Sequence, residues 1–169
     1  FGSTIMPGDI KYRDVNGDNR ITAEDQVTLS PYGNMPRIQY GFGISLQWKD
    51  LDVSVFFNGS AKRNIMLSGM YPFCANDSND NNLMQWIADS HWSEGKDNSN
   101  VVYPRLGALS TQITNNTQPS SWWMRDGSFL RFKTLEIGYR LKWFRIYFSG
   151  DNIAVWSKFK YWDPELSFN

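Results

Sequence analysis

Residues 14–25 carry the clearest chemistry in this chain of 169 residues. They read Asp14-Val15-Asn16-Gly17-Asp18-Asn19-Arg20-Ile21-Thr22-Ala23-Glu24-Asp25. Oxygen-bearing side chains at alternate positions of a tight loop suit Ca²⁺, a hard cation that takes about six to eight oxygen ligands. Asp14, Asn16 and Asp18 stand at positions one, three and five. Arg20 offers its carbonyl at seven, Thr22 falls at nine and Asp25 at twelve. Ile21 supplies the apolar residue expected at eight. Two departures matter. Asn19 stands at six where glycine is usual, although Asn tolerates a left-handed backbone. Asp25 is shorter than the usual Glu and less able to reach an ion with both oxygens. The competing reading is a loop held by its own Asx turns, side chain to backbone. If an ion is bound, its role is structural.

Other reactive residue types do not assemble. His91 is the sole histidine and Cys74 the sole cysteine, so neither a typical zinc site nor a disulfide framework can form. His91 reads as a surface or packing residue, and Cys74 as a loop or packing thiol. No Ser-His-Asp arrangement, phosphate loop or dinucleotide fingerprint occurs. Asp163 and Glu165 flank Pro164 and read as loop structure rather than as a glycosidase carboxylate pair. Trp122 and Trp123 have the shape to stack on sugar rings. Loop packing and a membrane-interface belt are equally open to them.

The chain has 17 basic and 17 acidic residues and a formal net charge of zero, so nucleic acid is not an expected partner. Aromatic residues reach 16%, yet the mean hydropathy is −0.50. That mixture suits barrel strands joined by long polar loops, and also a sugar-binding β domain. No run of apolar residues is long enough for a transmembrane helix, which leaves a membrane barrel open. The ends carry neither an initiator Met nor a signal peptide, so the expectation is a piece of a larger polypeptide.

The elements that must position these residues are strands. In residues 37–48, Ile38, Tyr40, Phe42, Ile44, Leu46 and Trp48 fall on one face. Arg37, Gln39, Gly41, Gly43, Ser45 and Gln47 fall on the other. The apolar wall is long enough to cross a bilayer at a tilt. After a turn at Lys49-Asp50, residues 51–59 alternate again, with Leu51, Val53, Val55 and Phe57 on one side. These apolar residues are expected to face lipid. Residues 129–141 form another strand, in which Leu135, Ile137, Tyr139 and Leu141 oppose Thr134, Glu136, Gly138 and Arg140. Its phase changes upstream, which a bulge near Lys133 or emergence from a membrane there would explain. A tight turn at Lys142 leads to a strand over 143–150 with Phe144, Ile146 and Phe148 on one face. Ile153 and Val155 extend it with altered phase.

Between the hairpins, residues 60–128 read as long and irregular. The tract 76–82 is polar throughout, and helical spacing between Leu83 and Trp92 suggests one short helix. A loop of this length is ordinary outside a large barrel and uncommon inside a compact soluble domain. Four strands cannot close a membrane barrel, so the reading requires more chain.

Several stretches resemble the C-terminal part of the SusC/RagA-like TonB-dependent outer-membrane transporters of Bacteroidetes-type bacteria. They are Pro7-Gly8-Asp9-Ile10-Lys11-Tyr12-Arg13-Asp14-Val15-Asn16-Gly17-Asp18, running on to Asp25 and Pro36, then Tyr40-Gly41-Phe42 with Phe57-Asn58-Gly59-Ser60. Trp92-Ser93 with Tyr103-Pro104-Arg105 follow. Next come Asp126-Gly127-Ser128-Phe129-Leu130-Arg131-Phe132-Lys133 and Ile137-Gly138-Tyr139. Last are Ser149-Gly150-Asp151-Asn152 and Asp163-Pro164-Glu165. They stand in the family's order and cover most of the chain. The N-terminal plug, most of the barrel and the final strand are absent.

The resemblance implies an all-β chain of antiparallel strands belonging to a 22-stranded transmembrane barrel with a plugged lumen. It implies import of oligosaccharides or other oligomeric nutrients, peptides among them, powered through TonB and assisted by a SusD-like surface lipoprotein. No catalysis is implied. The expected organisation is an extracellular loop over 1–36, a hairpin over 37–59 and a long extracellular loop over 60–128. A second hairpin over 129–152 and an extracellular loop over 153–169 complete it. Orientation follows by parity: with one strand missing after Asn169, the short turns lie in the periplasm and the long segments outside. Trp86, Trp92, Trp122, Trp123, Tyr161 and Trp162 then become candidate contacts for substrate, for the lipoprotein cap or for other loops of the barrel. The rival reading is a secreted, calcium-stabilised β-sandwich that binds carbohydrate.

Overall fold

Alternation of apolar and small or polar residues produces long strands, and these dominate the computed structural model, which describes residues 4–67, 84–107 and 113–166. The strands are β1 (Ile38–Trp48), β2 (Leu51–Ala61), β3 (Asn64–Met66), β4 (Met124–Asp126), β5 (Phe129–Arg140) and β6 (Arg145–Ser157). A short helix, α1, spans Gln85–Ser90, and a 3-10 turn spans Ala23–Asp25. Cys74, Leu83 and the polar tract 76–82 lie outside the described residues. Residues group into two units, Phe1–Leu29 with Met66–Trp123, and Ser30–Ile65 with Met124–Asn169.

The second unit contains a four-stranded antiparallel sheet in the order β1-β2-β5-β6, and the short β3-β4 ribbon. Registers follow from the sequence pattern. Phe42 pairs with Phe57, Ile44 with Val55 and Leu46 with Val53. Val53 pairs with Ile137 and Val55 with Leu135, and Ile137 in turn pairs with Phe148. Paired residues share a face, so the apolar rows of four strands merge into one wall. Phe42 stacks on Phe57 at 5.2 Å and Phe57 on Phe132 at 4.7 Å, a ladder across three strands.

The bulge expected near Lys133 is present. Phe132 pairs with Ala154 and Thr134 with Asp151, so Lys133 is skipped while Asn152 and Ile153 both stand opposite it. Asn152 takes a left-handed backbone, φ 53°, which Asn adopts more readily than most residues. Beyond it Ala154 and Trp156 continue the row of Phe148 on the apolar wall, while Val155 pairs with Arg131 on the other wall; the change of phase belongs to β5, where Lys133 is the extra residue. The alternation places a strand over 143–150, extended out of phase by Ile153 and Val155, and closes the hairpin at 152; the strand runs from Arg145 to Ser157. The turn before it is also longer than a one-residue reversal at Lys142. It spans Leu141 to Phe144 and closes with the Leu141 amide on the Phe144 carbonyl at 2.7 Å.

Sheet direction places the start of β1, the end of β2, the start of β5 and the end of β6 at one edge. The two short turns occupy the other. The segment between β2 and β5 is not wholly irregular, since it carries β3, α1 and β4.

The first unit has its own interior. Ile10, Leu67, Ile87, Tyr103, Ile113 and Trp123 are buried, together with Asn115 and Asn116. Tyr103 meets Trp86 and Trp123 edge-on, at 5.6 and 5.2 Å between centroids. Such edge-to-face pairs suit the aromatic quadrupole.

Candidate functional site

The sheet offers two chemically different walls. On the apolar wall Ile44, Leu46, Trp48, Phe148 and Trp156 are all more than half exposed, with Leu46 at 66%. Exposed apolar area that continuous marks contact with an apolar partner. Aromatic residues bound it at both ends: Tyr40 and Trp156 near one edge, Trp48 and Trp143 at the other. That is the girdle arrangement of strands that cross a bilayer.

The opposite wall is polar or small. Ser45 and Ser54 hydroxyls lie 3.0 Å apart. Arg145 on β6 donates through Nε to Asp52 on β2 at 3.1 Å, and through a terminal nitrogen to Asp52 and to Glu136 at 2.6 Å. It crosses β5 at Gly138, where a Cβ would collide with the guanidinium. Bulky residues stand on this wall too: Tyr147 opposite Gly138, Val155 opposite Arg131 and, opposite Gly43, Phe56. Phe56 fills the space over Gly41 and Gly43, where added Cβ atoms would stand 3.1 and 3.2 Å from its ring.

Arg131, almost fully buried, ends the polar wall. Its guanidinium pairs with Asp163 and, at 3.2 Å, with Glu165. Arg63 donates to the carbonyls of Asn34, Pro164 and Leu166. Asp163 and Glu165 are therefore structural anchors of the tail, as their loop reading anticipated. Burial raises the Asp163 carboxyl, but the Glu165 amide and Arg131 outweigh it and hold the group below the usual carboxylate range. The two arginines are missed in the sequence, because only pairing brings residues 63, 131 and 163 together.

The loop over 14–25 is knit by its own amides. Asp14 accepts from Gly17 at 2.6 Å and from Asn19 at 2.8 Å. Asn16 accepts from Asp18, and Asp18 from Arg20, at 3.0 and 2.8 Å. Asp25 accepts from Thr22 and Val15, both at 2.8 Å, in a capping box with Thr22. These bonds, the one from Thr22 foremost, hold the Asp25 carboxyl below its usual range. Asn19 is left-handed at φ 60°, as its place in the loop requires. Among the described residues no three His, Cys, Asp or Glu side chains are gathered to hold a metal. The side chains serve Asx turns.

The candidate aromatic contacts divide. Trp123 is fully buried and donates from its indole nitrogen to the Asn116 carbonyl at 2.8 Å, so it is a core residue rather than a contact surface. Trp122 is half-buried and donates to Val102 at 3.0 Å. Trp86 packs on Tyr103, and Trp92 covers Gly8, whose backbone is left-handed at φ 89°. Tyr161 and Trp162 both pack edge-on against Phe159, at 5.3 and 4.5 Å.

Two of the motif stretches meet in the first unit. Asp9 pairs with Arg105 at 2.6 Å and accepts from Asn116 at 2.7 Å. Asn116 accepts from the Ile10 amide and Asn115 donates to the Ile10 carbonyl, both at 2.8 Å. The Arg105 amide bonds the Gly8 carbonyl at 2.9 Å. Burial raises the Tyr12 phenol pKa against a bond with Ser120, and its hydroxyl donates to Asn115 at 2.6 Å. His91 bonds Ala88 through Nδ1 at 2.7 Å and Ser93 through Nε2 at 2.9 Å. A neutral carbonyl, not a carboxylate, orients its ring, so the pair lacks the third member of a hydrolytic triad.

An exposed apolar wall backed by a polar one, with short turns at one edge only, defines a segment of β-barrel wall. Two curated relatives are TonB-dependent receptors of Formosa agariphila. P26 is 32% identical over 95% of this chain and 16% of its own length. P3 is 25% identical over 96% of the chain and 16% of its own length. The chain belongs to the SusC/RagA-like TonB-dependent receptors, and it spans about a sixth of the curated relatives it matches. Its fold is similar to the solved RagAB peptide transporter, with a TM-score of 0.61 and 21% identity over 89% of this chain and 17% of that one. The RagAB peptide importer in its open-open state gives a TM-score of 0.57 and 23% identity over 86% and 16%. No family model matches the chain.

Proposed function

We propose that this chain is the C-terminal wall segment of an outer-membrane active transporter that imports oligomeric nutrients, oligosaccharides or peptides, with energy delivered through TonB. The observation that carries the reading is the apolar wall shared by β1, β2, β5 and β6 and exposed along its length. A sandwich would bury such a wall against a second sheet. Here the open ladder edges of β1 and β6 call for further strands, because unpaired edges are not tolerated in hydrocarbon. A barrel of 22 strands closes them.

Short turns belong to the periplasmic side of such barrels and long connections to the outside. Lys49-Asp50 and Leu141 to Phe144 are then periplasmic, and the segments 1–36, 60–128 and the tail after Ser157 extracellular. A SusD-like surface lipoprotein and the barrel's other loops are the partners proposed for these segments. Half-buried Trp86, Trp92, Trp122, Tyr161 and Trp162 supply candidate surface. The segment takes no catalytic role. Calcium belongs to this proposal as a structural ion at residues 14–25. It rests on spacing, and the ion would share or displace the amide bonds that Asp14, Asn16, Asp18 and Asp25 accept.

The test is uptake by cells carrying the full-length protein. Loss of growth on an oligosaccharide or peptide source when the gene is deleted, restored by the intact gene only in the presence of TonB, supports import. Growth that is unaffected on every oligomeric source overturns it.

A further inference from the structure

A groove of about 480 Å³ lies at the end of the sheet where β1 and β5 begin and β6 ends. Tyr40 and Trp156 line it from the apolar wall. They stand in one cross-strand row, Tyr40 opposite Gly59, Gly59 opposite Leu130 and Leu130 opposite Trp156. Ser128 and Asp126 line it from the turn before β5, and Lys158 and Lys160 from the chain leaving β6. The Ser128 amide engages Asp126 at 2.9 Å, and Lys158 lies close enough to help lower the pKa of that carboxyl. Neither lysine forms a salt bridge among the described residues. The groove thus joins aromatic walls, continuous with the apolar face, to a cationic mouth.

The other edge of the wall is built differently. Lys49 sits 5.0 Å over the Trp48 ring and Lys142 5.5 Å over the Trp143 ring. Those lysines also form no salt bridge among the described residues, and each lies over an exposed indole. Lys158 and Lys160 differ in lining a groove, at the edge assigned above to the outer leaflet.

We propose that this groove binds the phosphorylated headgroup of an outer-leaflet glycolipid. Lys158 and Lys160 engage phosphate, and the acyl chains run down the wall past Tyr40 and Trp156. Charge complementarity selects an anion at the mouth, and continuity with the apolar wall selects one that carries hydrocarbon. The inference rests on the transporter reading for its membrane and its orientation.

The experiment uses the full-length transporter, delipidated in mild detergent and exposed to diphosphorylated lipid A or its dephosphorylated form, with retention read by native mass spectrometry. The intact protein should retain the phosphorylated lipid. Lys158→Gln with Lys160→Gln should weaken retention about thirtyfold, taking roughly 1 kcal/mol for each cation at an anionic surface. Lys49→Gln with Lys142→Gln should leave it unchanged. Equal retention by the Lys158/Lys160 variant, equal retention of the dephosphorylated lipid, or full competition by inorganic phosphate would overturn the proposal. A spin label at Ile44→Cys in the reconstituted protein separates the two readings. If the label faces lipid while lysine dependence is missing, the groove proposal alone fails. If the label faces water, the membrane reading fails with it.

Discussion

Tyr40 lies across Gly59 and donates its hydroxyl to the Phe129 carbonyl at 2.8 Å, so a β1 side chain spans β2 to reach β5. A Cβ on Gly59 would stand 2.6 Å from the tyrosine ring and collide with the Phe129 carbonyl. The ring can rotate away but a ladder carbonyl cannot. Gly59→Ala should therefore destabilise the assembled barrel by about 1–3 kcal/mol through overpacking. Tyr40→Phe should cost only about 1 kcal/mol, one hydrogen bond. Urea titration of the full-length protein in lipid vesicles measures both, and a neutral Gly59→Ala would contradict the geometry.

The two walls should respond oppositely to charge. Ile44 projects from the apolar wall at mid-strand, and Arg there should cost roughly 2–4 kcal/mol if that depth is the bilayer midplane. Ser45 projects from the other wall beside Ser54, and Arg there should cost well under half as much. Comparable penalties at both positions, read from the folded fraction in vesicles, would reverse the assignment of the faces.

The tail should be released by acid. Asp163 has a folded pKa below its unfolded value, so its contribution is complete above the ordinary carboxylate range and is lost as pH falls through the folded pKa. Docking of residues 163–166 should thus persist at neutral pH and weaken below roughly pH 4. Arg131→Gln removes one cause of the lowering and should move that transition to higher pH. The readout is limited proteolysis after Ser157 as a function of pH. A transition that does not move in the variant would detach Asp163 from Arg131.

Calcium should bind residues 14–25 weakly if the proposed ion exists. Asp14 and Asp25 accept amide bonds on both carboxylate oxygens, and Asn16 and Asp18 each on one, so the ion must compete with the loop's own turns. Calorimetry on the full-length protein should give one site with a dissociation constant on the order of 10⁻⁴–10⁻³ M, the range of extracellular modules. Asp14→Asn should abolish it. Wild-type protein that shows no saturable heat would remove calcium from this loop.

Strand existence, strand faces and the Lys133 bulge are legible in the chain, because side-chain direction alternates with a period of two whatever the neighbouring strand is. What obscures the end of β6 is the size of Ala154. The wall row there is Phe148, Ala154 and Trp156, and the larger Ile153 and Val155 between them suggest an altered phase that the register does not have. The Asx turns of 14–25 are likewise a local property, because each bond closes within a few residues.

The buried polar pairings are different. Asp9 with Arg105, Asn116 with Ile10, and Arg131 with Asp163 join residues far apart in sequence, and nothing in local spacing distinguishes them from solvated surface charges. Trp123 and Trp122 are chemically identical neighbours, yet one is sealed in a core and the other half-exposed. The sequence by itself determined which residues share a wall and where a cation loop could form, since both depend on short-range backbone geometry. Only the tertiary structure decided which carboxylates hold the tail, which tryptophans remain available and how Arg145 reaches Asp52 through the gap at Gly138. Those outcomes depend on which strands and loops lie side by side, a choice that packing makes and local pattern does not encode.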